Sequence, residues 1–401
     1  MKLLLLADVS GSTSHVGDEA MLEANIALHR RLLPGCNIQV AAGFGWEANR
    51  FGVEAVPRLE FPQHSEVERE VMLASLSEGS MADHPAVSAA RACDALIISG
   101  GGNLSKSWPH HIYERVAMAR LAASQGAKII ILGQTLGPEF RLREQELVSE
   151  LLRHSIWTGV RETYSYALAL ELGARRETLS YQQDDAAFLE PEIPPEAVLQ
   201  KFALHDGKAS IGVTAHPIGD ASIHNPVIAR LATCLRSIAE ATATDIVFIP
   251  HVSFTAPGVT PDDEVFGAAL SRALYGNPAI RIAPVLPAAQ ALWLTQRASL
   301  IISTRYHPLV FGLAGGVPSI GMWSDEYTRR KLQGALIHVG RSADALQLDD
   351  ALAGRLVTKA LELWRMRSSI GVELQDRIRG SSDAEATRAA KLRDCLLALK
   401  T

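Results

Sequence analysis

An arginine, a histidine and a proline stand together between two apolar segments. Arg305 and His307 follow residues 300–304, which have the composition of a buried strand, and they precede Pro308. We expect Pro308 to take the first position of a helix that ends at the glycine pair 315–316. The N–H groups and the dipole at such a helix N-terminus favour an anion. The turn therefore predicts a phosphate site with a titratable imidazole attached to it.

Further polar or glycine-rich turns follow other apolar runs. The glycine and hydroxyl residues before Asp18 and Glu19 could let the backbone approach a ligand, and the two acidic residues suit the first turn of a helix; the alternative is an ordinary loop followed by N-terminal acidic residues. The consecutive glycines Gly100, Gly101 and Gly102 indicate a tight turn or a close approach to a ligand. Each remaining candidate also has a structural alternative, such as an ion pair for an arginine or a turn cap for an aspartate. These candidates are Asn103, Gln134, Arg161, Asp185, His251 and Lys331.

Short apolar runs alternate with amphipathic stretches along the whole chain, which is typical of βαβ units and parallel sheets. The strands are predicted at 2–7, 37–42, 95–99, 128–132, 156–160, 209–215, 245–250, 280–284, 299–303 and 318–322. The helices between them include 18–33, 64–78, 112–125, 142–153, 225–241, 262–275 and 287–296. Ligands bind at the carboxyl ends of parallel strands, so the turns described above are the expected site positions.

A proline-rich acidic segment near 189–196 divides the two series of strands. The prediction is an α/β protein of two doubly wound Rossmann-like domains that face each other across a cleft. We place the N-terminal domain at 1–190, a linker at 191–207, the C-terminal domain at 208–342 and C-terminal helices at 343–401.

Composition narrows the functional classes. A chain of 401 residues with a net charge of -5 lacks the basic excess of a nucleic-acid-binding surface. The four cysteines form no CxxC pair, which disfavours a metal or disulfide framework. The apolar start of the chain is shorter than a signal peptide requires, and no run approaches the ~20 apolar residues of a membrane span. We therefore predict a cytoplasmic protein without a membrane span, and peripheral membrane association stays open.

The turns, in this order, resemble those of the polysaccharide pyruvyl transferase family over about residues 8–332. The motifs that carry the resemblance are Gly17-Asp18-Glu19-Ala20, Gly100-Gly101-Gly102-Asn103-Leu104, Gly133-Gln134-Thr135-Leu136-Gly137-Pro138, Val160-Arg161-Glu162, Asp185-Ala186-Ala187-Phe188-Leu189 and Arg305-Tyr306-His307-Pro308 with Gly316-Val317-Pro318. Each motif is short, and the specificity comes from finding all of them in sequence.

The resemblance implies a GT-B-like fold with the acceptor on the N-terminal side and the donor on the C-terminal side. It implies that the enolpyruvyl group of phosphoenolpyruvate is transferred to two hydroxyls of a sugar. The product is a pyruvate ketal on a surface polysaccharide or on its lipid- or nucleotide-linked precursor. Phosphoenolpyruvate is a co-substrate, and no cofactor or metal is expected.

By the same resemblance, His307 is the expected general acid, and Arg161, Arg305 and Lys331 are the expected ligands of the anionic donor. Asp18 or Glu19 is the expected general base. We assign the remaining candidates to substrate binding: Gly100, Gly101, Gly102, Asn103, Gln134, Asp185 and His251.

Three departures from the family pattern concern the acceptor side. His15 stands where the family commonly has Asn, residues 10–14 replace the usual aromatic and glycine residues, and Trp108-Pro109-His110-His111 is unusual. Two alternatives therefore stay open. One is a GT-B-type glycosyltransferase or epimerase that uses a nucleotide sugar, and the other is the same scaffold acting on a small molecule that is not a polysaccharide. The oligomeric state is also open.

Overall fold

The computed structural model describes residues 1–201, 209–216, 218, 222–254, 263–275 and 280–398. The strands within them are β1 (Lys2–Leu6), β2 (Thr13–His15), β3 (Asn37–Ala42), β4 (Glu54–Pro57), β5 (Ala95–Ile98), β6 (Gly101–Leu104), β7 (Lys128–Leu136), β8 (Trp157–Val160), β9 (Leu179–Tyr181), β10 (Ser210–Thr214), β11 (Asp245–Phe248), β12 (Val252–Phe254), β13 (Ile280–Ile282), β14 (Leu300–Ser303), β15 (Ser319–Trp323) and β16 (Ala345–Gln347). Every strand predicted from the sequence is present, so the apolar runs were interpreted correctly.

The helices lie between these strands, as the amphipathic stretches predict. They are α1 (Val16–Leu32), α2 (Glu66–Ser77), α3 (Pro85–Ala92), α4 (Pro109–Ala123), α5 (Leu142–His154), α6 (Thr163–Glu171), α7 (Glu196–Lys201), α8 (Pro226–Thr242), α9 (Asp263–Leu274), α10 (Ala288–Gln296), α11 (Tyr306–Ala314), α12 (Glu326–His338), α13 (Leu348–Asp350), α14 (Leu356–Arg365) and α15 (Arg367–Leu397). Among the described residues, no helix has the length and apolarity needed to cross a membrane.

The chain divides into two compact units, each with its own parallel sheet. Unit 1 contains residues 1–12, 21–185 and 383–401, and its sheet has the order β4-β3-β1-β5-β7-β8-β9, with β6 also paired to β7. Unit 2 contains residues 13–20 and 186–382, and its main sheet has the order β13-β11-β10-β14-β15-β16. Counted within each sheet, the first six strands follow the order 3-2-1-4-5-6 that defines a Rossmann fold. The predicted pair of Rossmann-like units is therefore confirmed.

The order of the strands places a topological switch point in each sheet. In unit 1, β1 lies between β3 and β5, and in unit 2, β10 lies between β11 and β14. Chain connections leave these central strands toward opposite sides, so their carboxyl ends border a crevice that suits a ligand. Residues that directly follow β1, β5, β10 and β14 are therefore the first to consider.

The boundaries of the units differ from the predicted ones at three places. Residues 13–20 belong to unit 2 because β2 pairs with β12 in an antiparallel ribbon. Within the predicted linker 191–207, residues 196–201 form α7, whereas 202–207 lie outside the described residues. The tail that we predicted as helical contains β16, which pairs with β15, and residues 383–401 belong to unit 1. Sequence patterns report local structure, and these assignments depend on distant partners.

The end of α15 contributes to the core of unit 1. Leu392 and Leu396 are fully buried among side chains of β1, β3 and α1, such as Leu3, Val40 and Leu22. Lys128, at the start of β7, also donates its ammonium group to the carbonyls of Cys395 and Leu396 at 2.9 and 2.8 Å. The C-terminal segment is therefore part of the folded interior of the N-terminal sheet.

We expect Leu392→Ala to lower the free energy of unfolding by about 2–5 kcal/mol, because it leaves a cavity in this core. Val372→Ala is the matched control, since Val372 lies on the same helix with an exposed side chain. Chemical denaturation of both variants measures the difference. Equal, small effects would show that the C-terminal segment does not pack as described.

Candidate functional site

The turn between β14 and α11 lies at the switch point of the sheet in unit 2. Arg305 is the N-cap residue of α11, and the hydroxyl of Ser303 accepts its backbone N–H at 2.9 Å. The helix starts at Tyr306, so our prediction that Pro308 takes the first helical position was wrong by two residues. Proline is accepted there because the N–H groups of a first turn have no partner within the helix.

The guanidinium group of Arg305 is held by the carboxylate of Asp263, the first residue of α9. Nε and one terminal nitrogen of Arg305 donate to the two carboxylate oxygens at 2.7 and 2.5 Å. Asp263 is fully buried, whereas Arg305 is partly exposed. The other terminal nitrogen of Arg305 is not engaged by this carboxylate. The ion pair therefore fixes the arginine and leaves it a nitrogen for an anion.

The same carboxylate organises the segment that follows β11. The backbone N–H groups of His251 and Val252 donate to Oδ2 of Asp263 at 2.9 and 3.1 Å. The His251 ring is buried against Phe311 of α11, with ring centroids 5.5 Å apart. Burial, with the nearby charges of His307 and Arg305, holds the pKa of His251 well below its usual value. The ring is therefore neutral at physiological pH.

His307 lies against the start of α1. A Cβ atom added to Gly17 would lie 1.8 Å from Nδ1 of His307, so only glycine allows this approach. Val16 donates its backbone N–H to the carbonyl of His251 at 3.0 Å, which ties the start of α1 to the end of β11. His307 therefore lies in the first turn of α11 and touches the first turn of α1. The dipoles of both helices favour an anion at this position.

Asp18 and Glu19 follow Gly17 in the first turn of α1, as predicted. Oδ2 of Asp18 lies 3.2 Å from Nδ1 of His15, and the hydroxyl of Ser14 donates to Glu19 at 3.2 Å. Both carboxylates are partly exposed. The first turn of α1 thus places two carboxylates within a few residues of the glycine that His307 contacts.

Lys331 joins this group through an aromatic neighbour. Its ammonium nitrogen lies 5.3 Å from the centroid of the Tyr306 ring and 5.0 Å from that of Tyr327. The Tyr306 ring in turn meets His307 edge-on at 5.1 Å. Attraction between the ammonium group and the two aromatic faces restricts the position of this lysine.

Two polar residues near this turn were not among the predicted site residues. Asp263 positions Arg305, and His216 follows β10, where its Nδ1 lies 2.8 Å from the hydroxyl of Thr304. Burial and the charge of Arg305 lower the pKa of His216 to about 4, so this ring is also neutral. His216 could have been found from the sequence, because it directly follows a predicted strand of the central sheet. The partner of Arg305 is a long-range contact that no local pattern reveals.

Taken together, the described part of unit 2 holds a cationic turn, two helix N-termini and a histidine at one switch point. Of the predicted site residues, it brings together Asp18, Glu19, His251, Arg305, His307 and Lys331. Such a group can bind a doubly charged anion, donate a proton from His307 and accept one at a carboxylate. The described residues contain no group of three or more His, Cys, Asp or Glu placed to hold a metal ion.

We expect Asp263→Asn to lower the free energy of unfolding by about 2–4 kcal/mol, because Arg305 loses its buried counter-charge. Glu326→Gln is the matched control. Glu326 pairs with two arginines, Arg329 and Arg330, but on the surface, where an ion pair contributes less than about 1 kcal/mol. Chemical denaturation of both variants checks the difference. A loss in Asp263→Asn no larger than in the control would contradict the structural role of this carboxylate.

The other predicted site residues lie in unit 1, and several of them are internal. The side chain of Arg161 has 0% exposed surface, and its guanidinium group donates to Asp184 and to the hydroxyl of Thr135. The structure places Arg161 in a buried ion pair, and its contact with an anionic ligand stays a prediction. An arginine at the end of a strand can bind a ligand or pair with a buried carboxylate. Here Arg161 pairs with the carboxylate of Asp184.

Gln134 and Asn103 are also buried rather than exposed to a ligand. The amide of Gln134 donates to the carbonyl of Ser99 at 2.5 Å, which links the ends of β5 and β7. Asn103 lies within β6 together with Gly101 and Gly102. These residues lie at the carboxyl edge of the sheet, and their contact with substrate stays a prediction.

The glycine turns make room for the carboxylate of Asp185. A Cβ atom on Gly133, whose φ is +49°, would lie 2.6 Å from Oδ2 of Asp185, and one on Gly100 would lie 3.5 Å away. Gln182 donates to Oδ1 of Asp185 at 3.0 Å, and Arg388 of α15 lies 3.5 Å from the same oxygen. The close approach that Gly133 permits is thus an approach to Asp185, whereas a Cβ atom on Gly100 would first meet Sδ of Met21 at 2.7 Å. Asp185, predicted to bind substrate, is itself fully enclosed.

Burial is the main reason that the pKa of Asp185 rises to about 7, and the charges of Asp184 and Glu385 add to it against the opposing charge of Arg388. The folded protein thus binds this proton more tightly than the unfolded chain does. The stabilisation is fully present below about pH 4 and is lost as the pH rises through about 7.

We therefore expect Asp185→Asn to gain about 2–4 kcal/mol in stability relative to the wild type between about pH 4 and about pH 8. Asp94→Asn, at an exposed carboxyl, serves as the control and should show no such trend. Thermal unfolding across this pH range measures both. Parallel curves for Asp185→Asn and the wild type would refute the expectation.

Comparisons with known proteins agree with this architecture. A family model described as polysaccharide pyruvyl transferase matches residues 15–326. No curated protein is significantly similar to the chain in sequence.

Among solved structures, a proposed UDP-N-acetylglucosamine 2-epimerase from Listeria monocytogenes superposes with a TM-score of 0.60 at 14% identity, covering 93% of this chain and 90% of its own. Alr3699/HepE from Anabaena, in complex with UDP, superposes with a TM-score of 0.59 at 12% identity, covering 98% of this chain and 99% of its own. The UDP-GlcNAc 2-epimerase from Neisseria meningitidis superposes with a TM-score of 0.56 at 13% identity, covering 95% of this chain and 99% of its own. At these identities the likeness establishes a shared GT-B-type fold.

Proposed function

The chain belongs to the polysaccharide pyruvyl transferase family and is therefore a transferase, and we propose that it moves the enolpyruvyl group of phosphoenolpyruvate onto a saccharide. The observation that carries the donor assignment is the turn at Arg305 and His307. Phosphoenolpyruvate has a phosphate and a carboxylate, and this turn combines a fixed guanidinium group with two helix N-termini.

In this proposal, Arg305 and Lys331 bind the anionic groups of the donor. The carboxylate of Asp263 holds Arg305 in place, so that little conformational entropy is lost when the donor binds. Lys331 contributes a charge that its two tyrosine neighbours restrain. Arg161 has no part in donor binding here, because it is enclosed within unit 1.

His307 then donates a proton to the methylene carbon of the donor. The electrons of the carbon–carbon double bond take up this proton, and C2 becomes an oxocarbenium-like centre that a sugar hydroxyl attacks. Phosphate leaves with the electron pair of its C–O bond, and a second hydroxyl attacks C2, closes the ketal and gives its proton to the departing phosphate. A bound dianion favours the protonated form of His307, so the donor helps to charge its own acid.

The hydroxyl that attacks must lose its proton to a base. Asp18 and Glu19 are the proposed acceptors, because both are partly exposed carboxylates in the first turn of α1, next to the glycine that His307 contacts. No step in this scheme requires a metal. The protein would act in the cytoplasm, where phosphoenolpyruvate is available, on a polysaccharide or its precursor.

A nucleotide sugar is the competing ligand, since two of the structural neighbours are described as complexes with UDP or UDP-GlcNAc. The Arg305–His307 turn favours phosphoenolpyruvate, because it provides an acid beside an anion site. Incubation with phosphoenolpyruvate and a panel of saccharides should release phosphate and add one pyruvate ketal to an acceptor, as measured by mass spectrometry. Binding of UDP-sugars without any binding of phosphoenolpyruvate would refute the proposal.

Gly17→Ala tests the geometry around His307. The added methyl group would overlap the imidazole ring, so we expect the ring to move and kcat to fall by at least about a hundredfold. His307→Ala should abolish turnover and still bind phosphoenolpyruvate. Gly380→Ala is the matched control, because a Cβ atom at this helical glycine meets nothing within 4 Å. Full activity of Gly17→Ala would contradict the proposed role of His307.

A further inference from the structure

We propose that the carboxylate of Asp8 and the indole of Trp108 form a binding site in unit 1 for a neutral pyranose. The identification of this sugar as the acceptor rests on the proposed function, whereas the site itself is argued from the contacts of unit 1. Nothing in the chemistry assigned to the anion site of unit 2 uses these residues.

The position of Asp8 is the first argument. Asp8 follows β1, whose neighbours in the sheet are β3 and β5, so it lies at the switch point of unit 1. Backbone hydrogen bonds join the loop after β1 to the loop after β3, from Gly11 N–H to the carbonyl of Phe44 at 2.9 Å and from Gly43 N–H to the carbonyl of Val9 at 2.7 Å. The Asp8 carboxylate therefore lies at the edge of the sheet where Rossmann-type sheets bind ligands, in a loop that these hydrogen bonds hold in place.

An ionic network fixes the Asp8 carboxylate. Arg58 donates to Asp8 at 2.6 Å and, through two other nitrogens, to Glu114 at 3.1 and 2.5 Å. Nδ1 of His111 lies 2.7 Å from Arg58 and 3.0 Å from Arg115, and because both partners are donors, Nδ1 must accept. The ring proton is then on Nε2, which lies 3.4 Å from the other oxygen of Asp8.

The electrostatics of the network keep Asp8 ionised. Burial alone would raise the pKa of Asp8, but the hydrogen bond from His111 and the charges of Arg58 and Arg115 lower it far below its usual value. Burial would also raise the pKa of Glu114, but the charges and hydrogen bonds of its neighbours, with the charge of Arg58 the largest among them, together lower it to about 2. Buried ionic networks add little stability compared with apolar packing. A function that requires a fixed, charged carboxylate explains why one stands here.

An exposed aromatic ring lies beside the network. Trp108 precedes α4 with 45% of its surface exposed, and its ring centroid lies 6.3 Å from that of His111. Phe44, on the neighbouring loop, is 97% exposed. Exposing such apolar surface is unfavourable, so an exposed indole beside a fixed carboxylate suits a binding site. The flat face of an indole matches the C–H face of a pyranose ring.

The charge of the site selects the ligand class. Asp8 retains 29% side-chain exposure, and its partners Arg58 and His111 are more deeply buried behind it. A phosphate that contacts the exposed part of this carboxylate is repelled by its charge. Sugar hydroxyls donate hydrogen bonds to that carboxylate, and the ring packs on Trp108. The ligand is therefore an uncharged sugar unit.

Saturation-transfer NMR on the full-length protein tests the site with methyl glucoside, galactoside, mannoside and N-acetylglucosaminide, and with inorganic phosphate as the anionic probe. We expect at least one pyranoside to bind, and Asp8→Asn and Trp108→Ala each to weaken that binding about tenfold or more. Asp94→Asn and Tyr275→Ala are matched controls. Asp94 precedes β5 at the opposite edge of the same sheet, and Tyr275 is an exposed aromatic residue of unit 2. Both should bind as the wild type does.

Three results would overturn the site: no pyranoside binds up to its solubility limit, binding is unchanged in both variants, or phosphate competes with the sugar. Thermal unfolding shows whether Asp8→Asn folds, since this variant breaks an ion pair. Trp108→Ala leaves the network intact and decides the question if Asp8→Asn is unfolded. Phosphoenolpyruvate binding is measured in parallel by 31P NMR. If the wild type does not bind phosphoenolpyruvate, the proposed function is refuted and this inference is not. If substitution of Asp8 and of Trp108 leaves sugar binding unchanged, this inference is refuted and the proposed function is not.

Discussion

One buried carboxylate, Asp263, holds the anion site of unit 2 together. It accepts hydrogen bonds from the guanidinium group of Arg305 and from the backbone N–H groups of His251 and Val252. These donors come from the turn before α11 and from the segment after β11, and Asp263 itself begins α9. A carboxylate with no exposed surface is tolerated only when its charge and lone pairs are satisfied. The need to satisfy Asp263 therefore fixes the position of Arg305.

From that constraint the rest of the site follows. The carbonyl of His251, whose N–H group Asp263 holds, accepts the N–H group of Val16, and this bond places the start of α1. Gly17 then leaves room for the ring of His307, which stands in the first turn of α11. The proposed acid, the proposed bases at Asp18 and Glu19 and the guanidinium group thus depend on connected contacts. A change at any one of them should disturb the others.

The units share a strand order but differ in the chemistry at their switch points. After β10 and β14, unit 2 presents the cation of Arg305, helix N-termini and the neutral imidazole of His216, which suit an anionic donor. After β1, unit 1 presents an ionised carboxylate whose partner His111 neighbours the exposed ring of Trp108, and this pair suits a neutral sugar. One fold therefore carries two chemically different strand edges, and the side chains rather than the backbone make this difference.

The amino-acid sequence determined the strands, the helices and the ends of strands at which polar side chains gather, because apolar periodicity and turn residues act over a few neighbouring positions. It also indicated the turn at Arg305 and His307. Only the tertiary structure decided how each polar side chain is used. Arg161 and Asp185 carry the same local signals as Arg305, yet Asp184 and Arg388 enclose them, whereas Asp263 leaves Arg305 partly exposed. The same limit applies to residues 13–20 and 383–401, whose partners lie far along the chain. Such pairings form between residues that are distant in sequence, so local sequence patterns do not predict them.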